Sequence, residues 1–274
     1  MHKVALINGK LVDRSAAVIP AVSAAAMYGR GVFTTMAVYD GEPFLLESHR
    51  RRLSDNAAKL GIDIAVSFEQ IESWLRDLIA KNNVSDGRAR ISLLDTGGAG
   101  PWTGLLERQT DVVIITGEKV ERPNTLRLTI SPYTVNSISP LAGVKSCNYL
   151  ENLIAYEDAK QRGFDEAIRL NERGEITSAA MANVFWLRND AFETPSLETG
   201  CLAGTTREFI SENFEVREVR VGLDELKSAD AVFISSAGIG VRSVASINDR
   251  QIGIIDHGLL HLLPPNTKTR MSAE

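Results

Sequence analysis

Two turn signals near the N-terminus constrain the fold of this chain more than any other feature of its sequence. Asn8-Gly9 and Asp40-Gly41 each separate two runs rich in apolar and β-branched residues. Asn-Gly and Asp-Gly tolerate the two positive φ angles of a tight turn, so each pair predicts a two-residue β-hairpin. The first part of the chain should therefore contain antiparallel strands.

Amphipathic helices follow the second hairpin signal. Leu53, Ala57 and Leu60 form one apolar stripe, and Ser48 is the predicted N-cap of that helix. A second helical stripe is formed by Ile71, Trp74, Leu75, Leu78 and Ile79. Further helices are predicted over 148–162 and after Thr205. Strands are predicted over 89–94, 111–116, 126–131, 166–170, 175–187, 216–221 and 231–235.

The mixture of strands and helices in two blocks predicts an α+β protein. Residues 118–124 are charged and poor in apolar side chains, which is typical of a linker. We therefore expect a small N-terminal domain of mixed helices and strands over 1–117 and a larger domain over 125–274. The chain has 274 residues, and 44% of them are hydrophobic, which is enough for cores of that size.

Composition excludes several classes of function. The net charge of -5 disfavours nucleic-acid binding, and no apolar run reaches the roughly 18 residues of a membrane helix. Two cysteines are too few for a disulfide framework, and the start of the chain lacks the apolar core of a signal peptide. His257 and His261 are four residues apart but lack the glutamate of a zinc-binding HExxH motif, so no metal is expected. These features predict a cytoplasmic protein.

Lys145 is the candidate catalytic residue, because it follows an irregular glycine-containing stretch and precedes a predicted helix. Spacing alone does not separate it from an ordinary surface lysine, but the surrounding motifs do. They are YGRGVFTT at 28–35, HRRRL at 49–53, VKSCNYLENLIAYEDA at 144–159, GFDEAIRL at 163–170, GEITSAAMANVF at 174–185, GTTR at 204–207 and ADAVFISS at 229–236. In this order the motifs resemble those of the class IV aminotransferase family, the fold-type-IV enzymes that use pyridoxal phosphate.

The resemblance implies the fold, the cofactor and most of the site. Lys145 would carry the cofactor as a Schiff base, and Arg52 would contact its phosphate, a task that suits the planar guanidinium. Further cofactor contacts are implied for Gly204, Thr205, Thr206, Ser236, Ala237 and Ser178. The family also implies a homodimer and a small amino substrate. From the residues alone, Arg52 could be a solvated helix charge, and Gly204-Thr205-Thr206 could be a plain helix cap.

Ser178 departs from the family pattern, which usually has a glutamate at this position to keep the pyridine nitrogen of the cofactor protonated. A serine hydroxyl is neutral and can donate to an unprotonated nitrogen. Glu175 should not replace the glutamate, because residues three apart in a strand face opposite sides. We therefore expect a weaker electron sink, which favours elimination over transamination.

Elimination points to 4-amino-4-deoxychorismate lyase, in which loss of pyruvate creates an aromatic ring. Phe33-Thr34-Thr35 also looks closer to the lyase members of the family. The alternatives are a branched-chain or D-amino-acid transaminase and, from another class, a pyridoxal-phosphate-binding dimer without turnover. Thr35, Arg30 and Arg242 are candidate substrate contacts, although Arg30 could instead pair with an acidic residue across a subunit interface.

Overall fold

The computed structural model describes residues 1–98, 100–102, 104 and 108–263. Contacts between Cα atoms divide the chain into two compact units. The first holds Met1–Val120 and Val144–Tyr149, and the second holds Glu121–Gly143 and the described residues from Leu150 onward. The segment with Lys145 thus belongs to the first unit, whereas the sequence-based boundaries assigned it to the large domain. Residues 264–274, the end of that predicted domain, lie outside the described residues.

The first unit is an antiparallel sheet with helices on one face. Its elements are β1 (Val4–Ile7), β2 (Lys10–Asp13), α1 (Ala24–Tyr28), β3 (Gly31–Tyr39), β4 (Glu42–Pro43), α2 (Leu46–Lys59), α3 (Phe68–Lys81), β5 (Gly87–Asp95) and β6 (Thr110–Glu118). The strands are ordered β2-β1-β6-β5-β3-β4. Helices α2 and α3 contact β3 and β6, respectively.

Both predicted hairpins are confirmed. Ile7 pairs with Lys10 across the first turn, and Tyr39 pairs with Glu42 across the second. The first turn has φ angles of 48° and 80° at Asn8 and Gly9, and the second turn has 50° and 82° at Asp40 and Gly41. The capping prediction at Ser48 is wrong, because α2 already begins at Leu46 and places Ser48 inside the helix.

Alternation along β3 sorts its side chains between two environments. Val32, Met36 and Val38 face the helices and join the core that α2 and α3 complete. Phe33 and Thr35 face the other side of the sheet. Because these two residues are not needed for the helix-packed core, that face of β3 is available for a functional site.

The second unit is built on a large mixed sheet. Its elements are β7 (Thr125–Ile130), α4 (Leu150–Gln161), β8 (Glu166–Leu170), β9 (Ile176–Ala179), β10 (Asn183–Arg188), β11 (Ala191–Pro195), α5 (Thr205–Asn213), β12 (Arg217–Val219), α6 (Leu223–Lys227), β13 (Ala231–Ser236), β14 (Gly240–Ile247) and β15 (Arg250–Gln251). The strands are ordered β12-β11-β10-β13-β14-β7-β8-β9, and β15 pairs with β14.

Strand β10 lies inside this sheet, between β11 and β13, and is buried on both faces. Val184 and Trp186 join one apolar cluster, and Phe185 joins another. The single strand predicted over 175–187 is wrong. The chain turns between β9 and β10, where the Ala179 N–H donates to the Ala182 carbonyl at 2.8 Å. The two strands then pair with different neighbours, β8 for β9 and β13 for β10.

No helix in the described part of the chain is long and apolar enough to cross a membrane. Within the same residues, no group of three or more histidine, cysteine, aspartate or glutamate side chains is placed to hold a metal ion. His257 accepts a hydrogen bond from the Leu259 N–H, and His261 contacts Asp256. These contacts satisfy the two histidines locally.

Candidate active site

Lys145 is held against β3 by backbone hydrogen bonds. The Phe33 N–H donates to the Lys145 carbonyl at 3.0 Å, and the Cys147 N–H donates to the Gly31 carbonyl at 2.8 Å. A Cβ atom at Gly31 would lie 2.8 Å from the Leu93 carbonyl and 3.1 Å from Cys147 Sγ. Only glycine therefore allows this close approach. The hydrogen bonds to β3 hold the backbone of Lys145 beside the sheet.

Two aromatic rings surround the Lys145 amine. Its Nζ atom lies 4.7 Å from the centroid of Phe33 and 4.9 Å from that of Tyr149, and the two rings pack edge to face. Burial, together with the charges of Arg52 and Arg90, lowers the pKa of Lys145 from its ordinary value to about 7. A large share of this amine is therefore neutral and nucleophilic at neutral pH, unlike that of a solvated lysine.

Arg52 is positioned by two side chains that sequence reasoning did not single out. Its Nη2 atom donates to Thr34 Oγ1 at 2.9 Å, and Thr34 Oγ1 lies 2.6 Å from His49 Nδ1. His49 is buried, and burial lowers its pKa well below the ordinary value, with Arg52 and Lys145 adding to the effect. The imidazole is therefore neutral, and it can accept the Thr34 proton while Thr34 accepts from Arg52.

Arg90 is a further cation on the Phe33 side of the sheet. Its Cζ atom lies 3.6 Å from the Phe33 centroid. Burial lowers the pKa of Arg90, while nearby Cys147 and Tyr149 act in the opposite direction. Thr35 pairs directly with Arg90 across β3 and β5, which places both side chains on this face. The alternation of side chains along β5 could have identified the face that carries Arg90. The register of β5 with β3, which brings Arg90 next to Thr35, could not be predicted from the sequence.

We use the name cationic cluster for Lys145, Arg52 and Arg90, three basic residues whose positive charges repel one another. The charges that act on Lys145 are both positive. Such a cluster disfavours additional protons and favours an anion. Phosphate suits it well, because a guanidinium group stays charged and donates several hydrogen bonds.

The second unit contains a different set of predicted cofactor residues. Gly204 is the N-cap of α5 and provides no side-chain cap, and Thr205 and Thr206 are buried in the first turn. A Cβ atom at Gly204 would overlap Asn183 Oδ1, so this position requires glycine. A helix N-terminus presents N–H groups and a partial positive charge, and anions bind there readily.

The end of β13 supplies a second polar feature of this unit. Ser235 is fully buried, and its Oγ atom has no hydrogen-bond partner among the described residues. Ser236 ends the strand, and Ala237 begins the turn into β14. A buried hydroxyl without a partner costs free energy, so Ser235 is suited to a bound polar group. Ser236 and Ala237 were the predicted contacts. The structure adds Ser235, the residue before them, as a further candidate.

Ser178 lies on β9, is half-buried, and has its Oγ atom 3.5 Å from Thr177 Oγ1. Glu175 precedes this strand, and its carboxylate is bound by Arg173 at 2.8 Å and by Arg220 at 3.0 Å. These contacts, led by the hydrogen bond from Arg173, lower the pKa of Glu175 to about 2. Glu175 is thus committed to its arginine partners.

The remaining predicted substrate contacts are in different surroundings. Arg30 pairs with Asp95 of its own chain, with Nε 2.8 Å from Oδ2, and donates to the Leu60 carbonyl at 3.0 Å. Arg30 therefore has an acidic partner within its own chain. Arg242 belongs to β14 in the second unit and donates to the carbonyl of Val241 at 2.7 Å.

Comparison with known proteins agrees with this fold and these motifs. The chain is 30% identical to a putative branched-chain-amino-acid aminotransferase of Methanocaldococcus jannaschii, covering 91% of each protein. It is 29% identical to an aminodeoxychorismate lyase of Bacillus subtilis, covering 90% of this chain and 87% of the relative. A solved putative 4-amino-4-deoxychorismate lyase from Legionella pneumophila superposes with a TM-score of 0.82 at 30% identity, covering 91% of this chain and 96% of the other.

The fold therefore defines this protein as a fold-type-IV enzyme, the class to which its structural neighbours belong. The sequence model of the family described as amino-transferase class IV matches residues 31–247. The chain belongs to the class IV aminotransferase family. Enzymes of this family depend on pyridoxal phosphate.

Proposed function

We propose that this protein binds pyridoxal phosphate through Lys145. The support is the lowered pKa of a half-buried amine between two aromatic rings, in a cluster whose other charges are positive. A neutral amine is needed to form a Schiff base with an aldehyde, and a phosphate dianion suits the nearby cations. When bound, this cofactor withdraws electrons from the carbon that carries the substrate amine.

Further roles are proposed residue by residue. Arg52, oriented by Thr34, is a phosphate contact. The N-terminus of α5, with Gly204, Thr205 and Thr206, is a phosphate-binding element, as are Ser236 and Ala237 at the end of β13. Ser235 would supply its buried hydroxyl there. Thr35 faces the same side of the sheet as Arg90 and remains a candidate substrate contact, as does Arg242. Arg30 is a weaker candidate, since it is already paired with Asp95.

For the reaction, we propose elimination of pyruvate from 4-amino-4-deoxychorismate, giving 4-aminobenzoate. The single observation that carries this choice is Ser178, a neutral hydroxyl at the position where the family usually has a carboxylate. The neighbouring Glu175 is bound by Arg173 and Arg220 and does not compensate. Without a carboxylate partner the ring nitrogen is a weaker electron sink, and elimination that creates an aromatic ring has its own driving force.

Lys145 performs the proton transfers of this reaction. Its neutral Nζ removes the proton from the carbon that bears the substrate amine. The C–O bond to the pyruvyl side chain then breaks as the ring becomes aromatic. The Lys145 ammonium returns the proton to the departing enol, which becomes pyruvate. A pKa near 7 suits both roles, because the amine and ammonium forms are then comparably populated.

Transamination is the second candidate, since the relatives include proteins named as branched-chain and D-alanine aminotransferases. The two reactions are separated by product. Purified holoenzyme is incubated with aminodeoxychorismate, and separately with L- and D-amino acids and a keto acid. Release of aminobenzoate and pyruvate in equal amounts supports the lyase. Rapid conversion of the cofactor to pyridoxamine phosphate by an amino acid would contradict it.

The cofactor assignment has its own test. Borohydride reduction followed by peptide mapping should place the label on Lys145. The variant Lys145→Met should lose the label, and Lys160→Met, which removes an ion-paired lysine of α4, should keep it. A label on any other lysine would refute the proposal. Turnover in either assay would exclude the third reading, a binding protein without activity.

We also propose that the enzyme is a cytoplasmic homodimer, as the family resemblance implies. Sedimentation equilibrium of the holoenzyme should give twice the chain mass of 29.9 kDa. A monomer at micromolar concentration would contradict this part of the proposal without affecting the cofactor assignment.

A further inference from the structure

Arg169 is a buried cation that has no role in the proposed mechanism. It lies on β8 with 3% of its surface exposed. In the antiparallel pairing of β8 with β9, Arg169 is directly opposite Ser178. Directly opposite residues project to the same face of a sheet, with Cβ atoms about 4.5–5.5 Å apart. The chain therefore places the Arg169 side chain on the same face of the sheet as Ser178, a residue that departs from the family pattern.

The hydrogen bonds of Arg169 leave part of its guanidinium unsatisfied. Its Nη2 atom donates to the Thr134 carbonyl at 3.3 Å and lies 3.5 Å from Glu151 Oε2. Its Nε atom is buried and has no acceptor among the described residues. A buried N–H without an acceptor costs free energy, and a hydroxyl such as that of Ser178 can accept from it.

Nearby acidic groups do not cancel the Arg169 charge at Ser178. The Glu151 side chain on α4 is 79% exposed, so water screens its contribution. Glu166 and Ile168 are two residues apart on β8 and share one face of the sheet. Arg169 lies on the opposite face, so Glu166 points away from it. Glu175 is bound by Arg173 and Arg220. Arg169 is therefore the charged residue directly opposite Ser178 in the sheet.

Hydrogen-bond direction leads to the same result as charge. Arginine can only donate, so a Ser178 oxygen that accepted from the Arg169 Nε in the cofactor-bound protein would direct its single proton elsewhere. Thr177 Oγ1 is a poor competitor for that proton, because it lies 3.5 Å away. A pyridine nitrogen that accepts the proton must itself be unprotonated.

We propose that Arg169 is a positioning residue that acts through Ser178 and holds the ring nitrogen of bound pyridoxal phosphate in its unprotonated form. The proposal rests on the proposed cofactor and on Ser178 as the partner of its ring. It replaces a negative partner of the nitrogen by a neutral hydroxyl backed by a permanent positive charge. Both changes lower the affinity of the nitrogen for a proton.

The test is the ¹⁵N chemical shift of ring-labelled pyridoxal phosphate in the holoenzyme, followed as a function of pH. This shift distinguishes a protonated from an unprotonated nitrogen without any turnover. The wild-type nitrogen should be unprotonated at pH 7. In Arg169→Met, which keeps the volume and removes the charge, the protonated fraction should rise about tenfold, equivalent to about one pKa unit. Arg169→Lys should retain the wild-type titration.

A control variant and a second position keep the outcomes distinct. Arg127→Met removes an exposed arginine of β7 in the same unit and should leave the titration unchanged. Ser178→Glu should give a protonated ring nitrogen. This second test does not depend on whether the Arg169 variants fold. A protonated nitrogen in the wild type, or identical titrations of wild type and Arg169→Met, would overturn the inference. Absence of a borohydride label at Lys145 would instead refute the proposed cofactor.

Discussion

The pKa of Lys145 is set by its surroundings, and one substitution should move it by a measurable amount. Arg90→Met removes one of the two cations that lower this pKa while retaining a long apolar side chain over Phe33. The neutral fraction of the Lys145 amine at pH 7 should fall, because less repulsion opposes its protonation. The effect is opposite to the intuition that removing a positive charge makes a site less basic.

The separation of the two charges gives the magnitude. Arg90 Cζ lies 3.6 Å and Lys145 Nζ lies 4.7 Å from the same Phe33 centroid, so the charges are at most about 8.3 Å apart. At an effective dielectric constant of about 20, Coulomb's law gives roughly 2 kcal/mol at that distance. This is about 1.5 pKa units, which partial exposure to water reduces to about one. The neutral fraction at pH 7 should fall from about one half to about one tenth.

Competitive labelling of the cofactor-free protein with a small acylating reagent, followed by peptide mapping, measures this pKa directly. Reactivity of Lys145 should titrate with a midpoint near 7 in the wild type. The midpoint should be about one unit higher in Arg90→Met. Arg88→Met, on the same strand, is the matched control and should leave it unchanged. A wild-type midpoint near that of a solvated lysine, or equal midpoints in wild type and Arg90→Met, would refute this account.

Three further substitutions test neighbouring parts of the structure. Gly204→Ala forces a Cβ atom against Asn183 and should lower the free energy of unfolding by about 1–3 kcal/mol, seen in thermal denaturation. Burial raises the pKa of Glu166 to about 7. Its protonated form therefore contributes stability below about pH 4.5 that is lost as the pH rises to 7, and Glu166→Gln should flatten this part of the pH–stability curve. Thr34→Val removes the hydroxyl that orients Arg52 and should weaken cofactor binding about five- to tenfold in a fluorescence titration, while unfolding at equal temperatures would show that the fold is intact.

Local features of this fold could be predicted from the sequence because their causes are local. The turns at Asn8-Gly9 and Asp40-Gly41 depend on backbone preferences of two residues. The helix α3 depends on the spacing of apolar residues within 14 positions. The predicted cap at Ser48 failed for a related reason: α2 begins at Leu46 after Leu45, whose φ angle is 56°, a conformation that no sequence rule expects of leucine.

The parts of the candidate site that were missed depend on contacts between distant segments. Arg90 reaches the Lys145 surroundings only through the register of β5 with β3. Arg169 meets Ser178 only through the register of β8 with β9, which includes an irregularity next to Arg169. A shift of one residue in either register would turn these side chains to the opposite face. The sequence shows which residues of a strand share a face. It does not show which residues of the neighbouring strand they pair with.

The cationic cluster explains why cofactor binding and folding should be linked in this enzyme. Lys145 and His49 both have pKa values below their ordinary ranges, so each of these two groups binds fewer protons in the folded cofactor-free protein than in the unfolded chain. At Lys145 this difference makes the cofactor-free form less stable as the pH falls from about 10.5 to about 7. In the proposed complex a phosphate dianion beside Arg52 would relieve the repulsion, and a ligand that binds only the folded state stabilises it. On this proposal, the same positive charges that keep the Lys145 amine neutral at pH 7 also favour retention of the cofactor with which it would react.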